Sequence, residues 1–289
     1  MTALAPTRPS RAPFVFPVQM GDMVTVVAWI IVGITLVVAV AGPWLATHDP
    51  MMFSADMNAA PGNGHLLGTD DGGRDVFSRL MVGTGLSLFY GASAALAALL
   101  LGAVTALIAM ALGKWAELSL FALIDLVRAL PGILFALAFI VAFEPGPFSV
   151  VLALGVSFAP NFAMVTRATY QQQMAQPYTQ AARVLGGGRA RVTLVHVLPN
   201  IAGALITQFA IILPRCIVSE SVLSFLGLGV SSEQPTWGRM IASATGYLEE
   251  APHALLAPIL ALSAVTFALA IVGNAQRQRL THTRKGVFA

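Results

Sequence analysis

The stretch Tyr178-Thr-Gln-Ala-Ala-Arg-Val-Leu-Gly186-Gly-Gly-Arg-Ala-Arg-Val-Thr-Leu-Val-His196-Val-Leu-Pro199-Asn200 lies between two long apolar runs and carries most of the information in the chain. Tyr178 to Leu185 is rich in alanine and has one apolar side, so it reads as a short helix. The glycines at 186–188 stop it, because glycine sustains a helix poorly and readily takes the left-handed conformation of a helix end. Beyond them Val192, Val195 and Leu198 recur at helical spacing, with Arg189 and Arg191 at the start, until Pro199 opens the next run. The pattern predicts a helix, a turn and a helix at a membrane surface. Small residues there permit close backbone approach, and the arginines address acidic groups on a partner or on lipid.

The membrane itself is implied by composition. Of 289 residues 57% are hydrophobic and 10% charged, with a mean hydropathy of +0.78. Soluble domains carry roughly 25% charged residues, so an ordinary cytosolic enzyme is excluded. Apolar runs at 24–46, 86–113, 117–143, 148–168, 201–219 and 255–275 are each long enough to cross ~30 Å of hydrocarbon, which takes roughly 20 helical residues. The expected fold is an all-α integral membrane protein of six transmembrane helices. The first, 24–46, follows a polar leader at 1–23 and ends Gly42-Pro43-Trp44 without an Ala-x-Ala cleavage pattern, so it reads as a retained anchor. Cys216, the lone cysteine, rules out a disulfide framework and a cysteine-rich metal site.

Basic residues divide unevenly between the two sides that six spans define. Arg8, Arg11, Lys114, Arg128, Arg167, Arg183, Arg189, Arg191, Arg277, Arg279, Arg284 and Lys285 fall on one; Arg74, Arg79 and Arg239 fall on the other, and Arg215 lies inside a span. The positive-inside rule then places both termini, the tail 276–289 included, in the cytoplasm. The long connections become outer segments at 47–85 and 220–254 and a cytoplasmic one at 169–200, the spans from 86 to 275 forming the core. The net charge of +3 reports membrane topology, and nucleic acid is not an expected partner. Pro131-Gly132, Pro160, Pro214 and Pro258 interrupt spans, either as ordinary membrane prolines or as features of a bundle that rocks open and shut.

Gln180-Ala181-Ala182, three residues, Gly186, nine residues and His196-Val197-Leu198-Pro199 resemble the Glu-Ala-Ala signature of permease subunits of bacterial ABC importers. Leu67-Gly-Thr-Asp-Asp-Gly-Gly-Arg-Asp-Val-Phe-Ser-Arg-Leu80, and Glu220-Ser-Val-Leu-Ser-Phe-Leu-Gly-Leu-Gly229 followed by Pro235-Thr-Trp-Gly238, narrow the resemblance to the second membrane subunit of the dipeptide, oligopeptide and nickel importers. It implies a MetI-like permease bundle with an added N-terminal anchor helix, in the bacterial inner membrane. It also implies that residues 178–188 form a coupling helix seated on an ATPase. Tyr178, Thr179, Gln180, Ala181, Ala182, Arg183, Gly186, Leu198 and Pro199 are the residues expected to carry that contact. The implied partners are a second, similar permease, two ATPase subunits, a periplasmic solute-binding protein and the bilayer. Peptides or similar small solutes are the implied cargo; relatives also handle nickel complexes, opines, sugars and antimicrobial peptides, and nothing in the pathway residues separates these. Two residues depart from the signature: Gln180 replaces its glutamate and His196 its isoleucine, so position 180 cannot form a salt bridge to the ATPase, although an amide can still hydrogen-bond.

No Gly-x-x-x-x-Gly-Lys-Ser/Thr phosphate loop is present, since the glycines at 186–188 lead to Arg189. ATP and magnesium are therefore expected on partner subunits, with no cofactor on this chain. Asp71 is expected to cap a helix N-terminus and Asp75 to pair with Arg79 four residues on. Asp125 and Arg128 are expected to pair with each other. Asn161, Arg215, Glu220 and Ser221 are the candidate pathway-lining residues, because polar groups in a span face protein or water. Val222 to Val230 reads as a half-inserted helix, with Trp237 and Tyr247 as interfacial anchors. No His/Cys/Asp/Glu set has catalytic metal spacing along the sequence, and Met20, Met23, Met51 and Met52 are scattered, so no metal site is expected. The rival class is a self-sufficient, ion-coupled carrier. It calls for carboxylates or histidines in mid-span, whereas Asp125 and Glu220 are expected near span ends.

Overall fold

The computed structural model describes residues 18–286 except 63, 230 and 232. Most of the leader, with Arg8 and Arg11, and the last three residues of the tail lie outside the described residues. The described residues form helices α1 (Val18–Leu45), α2 (Val76–Leu112), α3 (Lys114–Ala129), α4 (Gly132–Phe143), α5 (Pro147–Met174), α6 (Pro177–Val184), α7 (Arg189–Phe225), α8 (Trp237–Ala244) and α9 (Pro252–Gly286), and among them there is no named strand. Helices α1, α2, α5, α7 and α9 are long and apolar enough to cross a membrane; α3 and α4 make a sixth span if the bent pair is counted as one.

Helix α2 packs against α5, α7 and α1, and α9 packs on both α7 and α1. In lipid no hydrophobic drive pushes helices together, so small residues that bring backbones close supply the packing. Ala94, Ala95 and Ala98 of α2 accordingly meet Ala136 of α4, Ala153 of α5 and Ile212 of α7 in one core cluster. A second cluster joins Ala103, Ala106 and Met110 of α2 to Phe121 of α3, Tyr170 of α5 and Val192 of α7. Gly102 allows the closest of these approaches: a β-carbon there would collide with the carbonyl of Ala159. The backbone adjusts at the same place, with a π turn over Leu100–Val104.

Several expected boundaries move. The second span begins at Val76, not 86, because Asp75 caps it; the fifth runs from Arg189 to Phe225, so Val222–Phe225 continue α7 and the described residues up to 229 form no separate half-inserted helix. The run 117–143 is broken. Helices α3 and α4 meet at 96°. Proline disfavours helical geometry in the residue before it, and Leu130 is extended (φ −94°, ψ 140°); the new helix restarts from the Pro131 carbonyl. Pro160, Pro214 and Pro258 lie inside continuous helices.

Candidate functional site

Helix α6 sits between the end of α5 and the start of α7. Pro177 occupies its first turn, where a missing amide costs nothing. Its inner side is held by Thr179, which is buried and donates its hydroxyl to the carbonyls of Gln176 (2.7 Å) and Gln173 (2.9 Å). The C-terminus closes in a Schellman turn: Gly187 N–H reaches Ala182 O (2.9 Å), Gly186 N–H reaches Arg183 O (3.0 Å), and Gly186 takes φ +88°. The other side is open. Val184 and Leu185 are each 87% exposed, and Gln180, Ala181 and Arg183 are exposed beside them. Gln180 Nε2 donates to the carbonyl of Ala175 (3.3 Å), and Tyr178 OH donates to Gln173 Oε1 (2.6 Å).

The flanks of α6 are tied together by residues that the sequence reading did not single out. Tyr170 of α5 and Thr193 of α7 are both buried, with hydroxyls 3.2 Å apart. Arg167 of α5 donates to Glu117 of α3 (2.7 Å) and lies over the Phe121 ring at 4.3 Å. No motif announces these pairs, because their members are far apart in sequence. The helix after the turn also departs from expectation. A π turn over Val192–Val197 adds a residue to the repeat, so Val192 and Val197 face the core and Val195 is 57% exposed. Leu198 is half-buried and Pro199 exposed at the point where α7 resumes regular geometry.

The four candidate pathway residues separate. Arg215 is exposed on α7 and lines a cleft of about 600 Å³ with Phe158, Pro214, Ser219, Thr266 and Asn274. Glu220 and Ser221 do not reach it: they are 1% and 3% exposed, and Glu220 accepts from Ser224 Oγ at 2.7 Å. Asn161 turns its amide back to the Phe158 carbonyl of its own helix (3.3 Å).

On the opposite face from α6, Asp75 rather than Asp71 caps α2, accepting from Ser78 N at 2.7 Å and Ser78 Oγ at 2.6 Å. Burial pushes Asp75 up, but the two bonds from Ser78, one from His65 and the nearby His48 carry the net pKa below its ordinary value. The expected Asp75–Arg79 pair is replaced by Arg79 with Asp70 (3.4 Å), both buried. Asp125 and Arg128 do approach, at 3.6 Å, and both are exposed. Trp237 is not an interfacial anchor: it is fully buried, packs with Ile217 and Val265, and its backbone amide donates to Ser87 Oγ (2.9 Å). Tyr247 is 41% exposed. Donor atoms of His48, His65 and Asp75 all lie within 4.8 Å of one another, a juxtaposition absent from the spacing along the sequence. The segment folds back on itself between α1 and α2, so linear spacing hides the cluster.

Comparison with known proteins agrees with this architecture. Residues 75–282 match the family model described as binding-protein-dependent transport system inner membrane component. The chain is 34% identical over 249 residues to the di/tripeptide transport system permease protein of Pseudomonas aeruginosa (84% of this chain, 82% of the relative). It is 30% identical over 259 residues to the glutathione transport system permease protein of Pectobacterium atrosepticum (89% and 86%). A crystal structure of an amino acid ABC transporter with histidines shares the fold, with a TM-score of 0.52 and 21% identity over 71% of this chain and 94% of that one. The chain belongs to the family of binding-protein-dependent transport system inner membrane components, and is a multi-pass inner-membrane permease subunit of an ABC importer.

Proposed function

We propose that the chain forms half of a peptide pathway and that α6 is its coupling helix. The observation that carries the coupling reading is the exposed face of α6. Val184 and Leu185 project from a helix whose other side is fastened to the bundle through Thr179, which leaves a stiff apolar tip exposed among the described residues. Such a tip fits a groove in an ATPase subunit. Closure of an ATPase pair around ATP and magnesium then shifts the balance of inward and outward states through α5 and α7. Gln180 meets the ATPase through its amide.

Peptide cargo is supported by the permeases of di/tripeptide and glutathione transport that the chain resembles. Arg215 in its cleft supplies a cation to a carboxylate-bearing solute, a use that matches the cost of placing a charge in a span. A second permease closes the pathway, a solute-binding protein delivers cargo on the α8 face, and both termini lie in the cytoplasm with α6.

The test is purification of the tagged chain from its native membrane under mild detergent, followed by reconstitution and peptide uptake. Recovery of two ATPase subunits and a second permease, with uptake that needs ATP and ignores a protonophore, is expected. A chain that is recovered alone and drives uptake from a proton gradient overturns the reading in favour of a self-sufficient carrier.

A further inference from the structure

His48 follows the end of α1, His65 lies in the loop before α2, and Asp75 caps α2, so three separate stretches of chain converge on one point. His65 Nδ1 is 2.9 Å from Asp75 Oδ1, and His48 Nδ1 is 3.9 Å from Asp75 Oδ2. The two imidazole rings lie 4.7 Å apart at 34° to one another. Two imidazoles and a carboxylate form a donor set suited to zinc-type divalent ions, and three protein ligands leave a fourth position for water. Hard cations such as calcium are disfavoured, because they need six or more oxygen ligands.

Donors held at ~2.0–2.1 Å on one tetrahedral ion stand roughly 3.3 Å from each other; here the three lie within 4.8 Å, with His65 2.9 Å from Asp75 Oδ1 and His48 3.9 Å from Oδ2, so binding draws His48 inward. The cluster also divides into fixed and adjustable members. The Asp75 carboxylate is fully buried and its Oδ2 is anchored by Ser78 N and Oγ, which leaves Oδ1 turned toward His65. His48, with its side chain 43% exposed, is the member with room to close the remaining gap. The backbone at His48 is tied to the same helix cap, since its amide donates to Ser78 Oγ at 3.0 Å; Thr47 Oγ1, 3.1 Å from His48 Nδ1, gives that nitrogen up when a metal takes it.

We propose that His48, His65 and Asp75 form a binding site for a divalent transition-metal ion of the zinc class, which ties the end of α1 to the start of α2. Binding displaces the proton that His65 shares with Asp75. The site is independent of α6 and of the cargo pathway.

The test uses the full chain with a histidine-free tag, stripped of metal in detergent and titrated with cobalt(II), then with zinc(II). One cobalt per chain with the intense visible bands of a four-coordinate ion, displaced by zinc, is expected. Replacement His48→Ala keeps the helix cap and should weaken binding at least roughly tenfold, since losing even an outer-shell partner costs that much. A His65→Gln variant should do the same, and His196→Ala on the α6 face should not. Zinc should also raise the unfolding temperature of the parent chain but not that of His48→Ala. Absence of the cobalt bands, or equal binding by the parent chain and both ligand variants, overturns the proposal.

Discussion

The hydroxyls of Tyr170 and Thr193 stand 3.2 Å apart in the buried interior, joining α5, which leads into α6, to α7, which leads out of it. Displacement of the tip of α6 therefore reaches two long helices that are already fastened to each other. Replacing either residue alone, Tyr170→Phe or Thr193→Val, should cost about 1 kcal/mol, because the remaining hydroxyl is left unsatisfied. The double replacement should cost less than the sum of the two. A double-mutant cycle on thermal unfolding in detergent checks this; strict additivity would show that the pair does not interact.

Gly186 is the hinge of the α6 turn. Its φ of +88° suits glycine, and nothing crowds the position, so replacement acts through backbone strain alone. Left-handed geometry costs a substituted residue roughly 1–2 kcal/mol, and more for a β-branched one. Gly186→Val should abolish uptake while membrane insertion and abundance stay normal. Normal uptake by this variant would count heavily against α6 as a coupling element.

At Gly102 the obstruction is backbone. A methyl group meets the Ala159 carbonyl and Phe162, and neither swings away as a surface side chain does. Gly102→Ala should destabilise the bundle by about 1–3 kcal/mol, the usual range for overpacking. Reduced resistance to denaturant in detergent is the readout, and unchanged stability would mean that α2 and α5 separate readily at this level.

Asp70 holds the chain before α2 in three ways. It accepts from the amides of Gly72 (2.9 Å) and Arg74 (3.0 Å), pairs with Arg74 (2.9 Å), and faces the buried Arg79. Removing one member of a buried pair strands the other, at a cost of about 3–5 kcal/mol. Asp70→Ala should therefore lower the unfolding temperature markedly, and Asp70→Ala combined with Arg79→Met should recover part of the loss. If the combined variant is no better than the single one, the amide contacts dominate.

How much of this was legible depends on the range of the interaction involved. The turn at Gly186 and the apolar spans follow from neighbours in sequence, through backbone conformational freedom and the thickness of hydrocarbon; the break at Pro131-Gly132 does not, since Pro160, Pro214 and Pro258 lie inside continuous helices. The cap of α2 was legible in kind but assigned to Asp71, because three aspartates precede the helix and only the fold shows which carboxylate reaches Ser78 N. The phase after the turn was misread because a π turn adds one residue to the repeat, and the valine spacing does not reveal it. Trp237 was misplaced for a different reason: amphipathic rings favour interfaces on average, yet here α8 packs on α9 and α7 and buries it against Ile217 and Val265.

The sequence by itself determined a lipid-solvated helical chain and a turn of defined chemistry between two of its spans, because each of these is a sum over neighbouring residues. Only the tertiary structure decided which polar groups meet. Tyr170 with Thr193, Arg79 with Asp70, Glu220 sealed away while Arg215 opens on a cleft, and the two histidines beside Asp75 all depend on how distant helices and loops pack. Packing is set by close contact between side chains remote in sequence, and no local pattern encodes it.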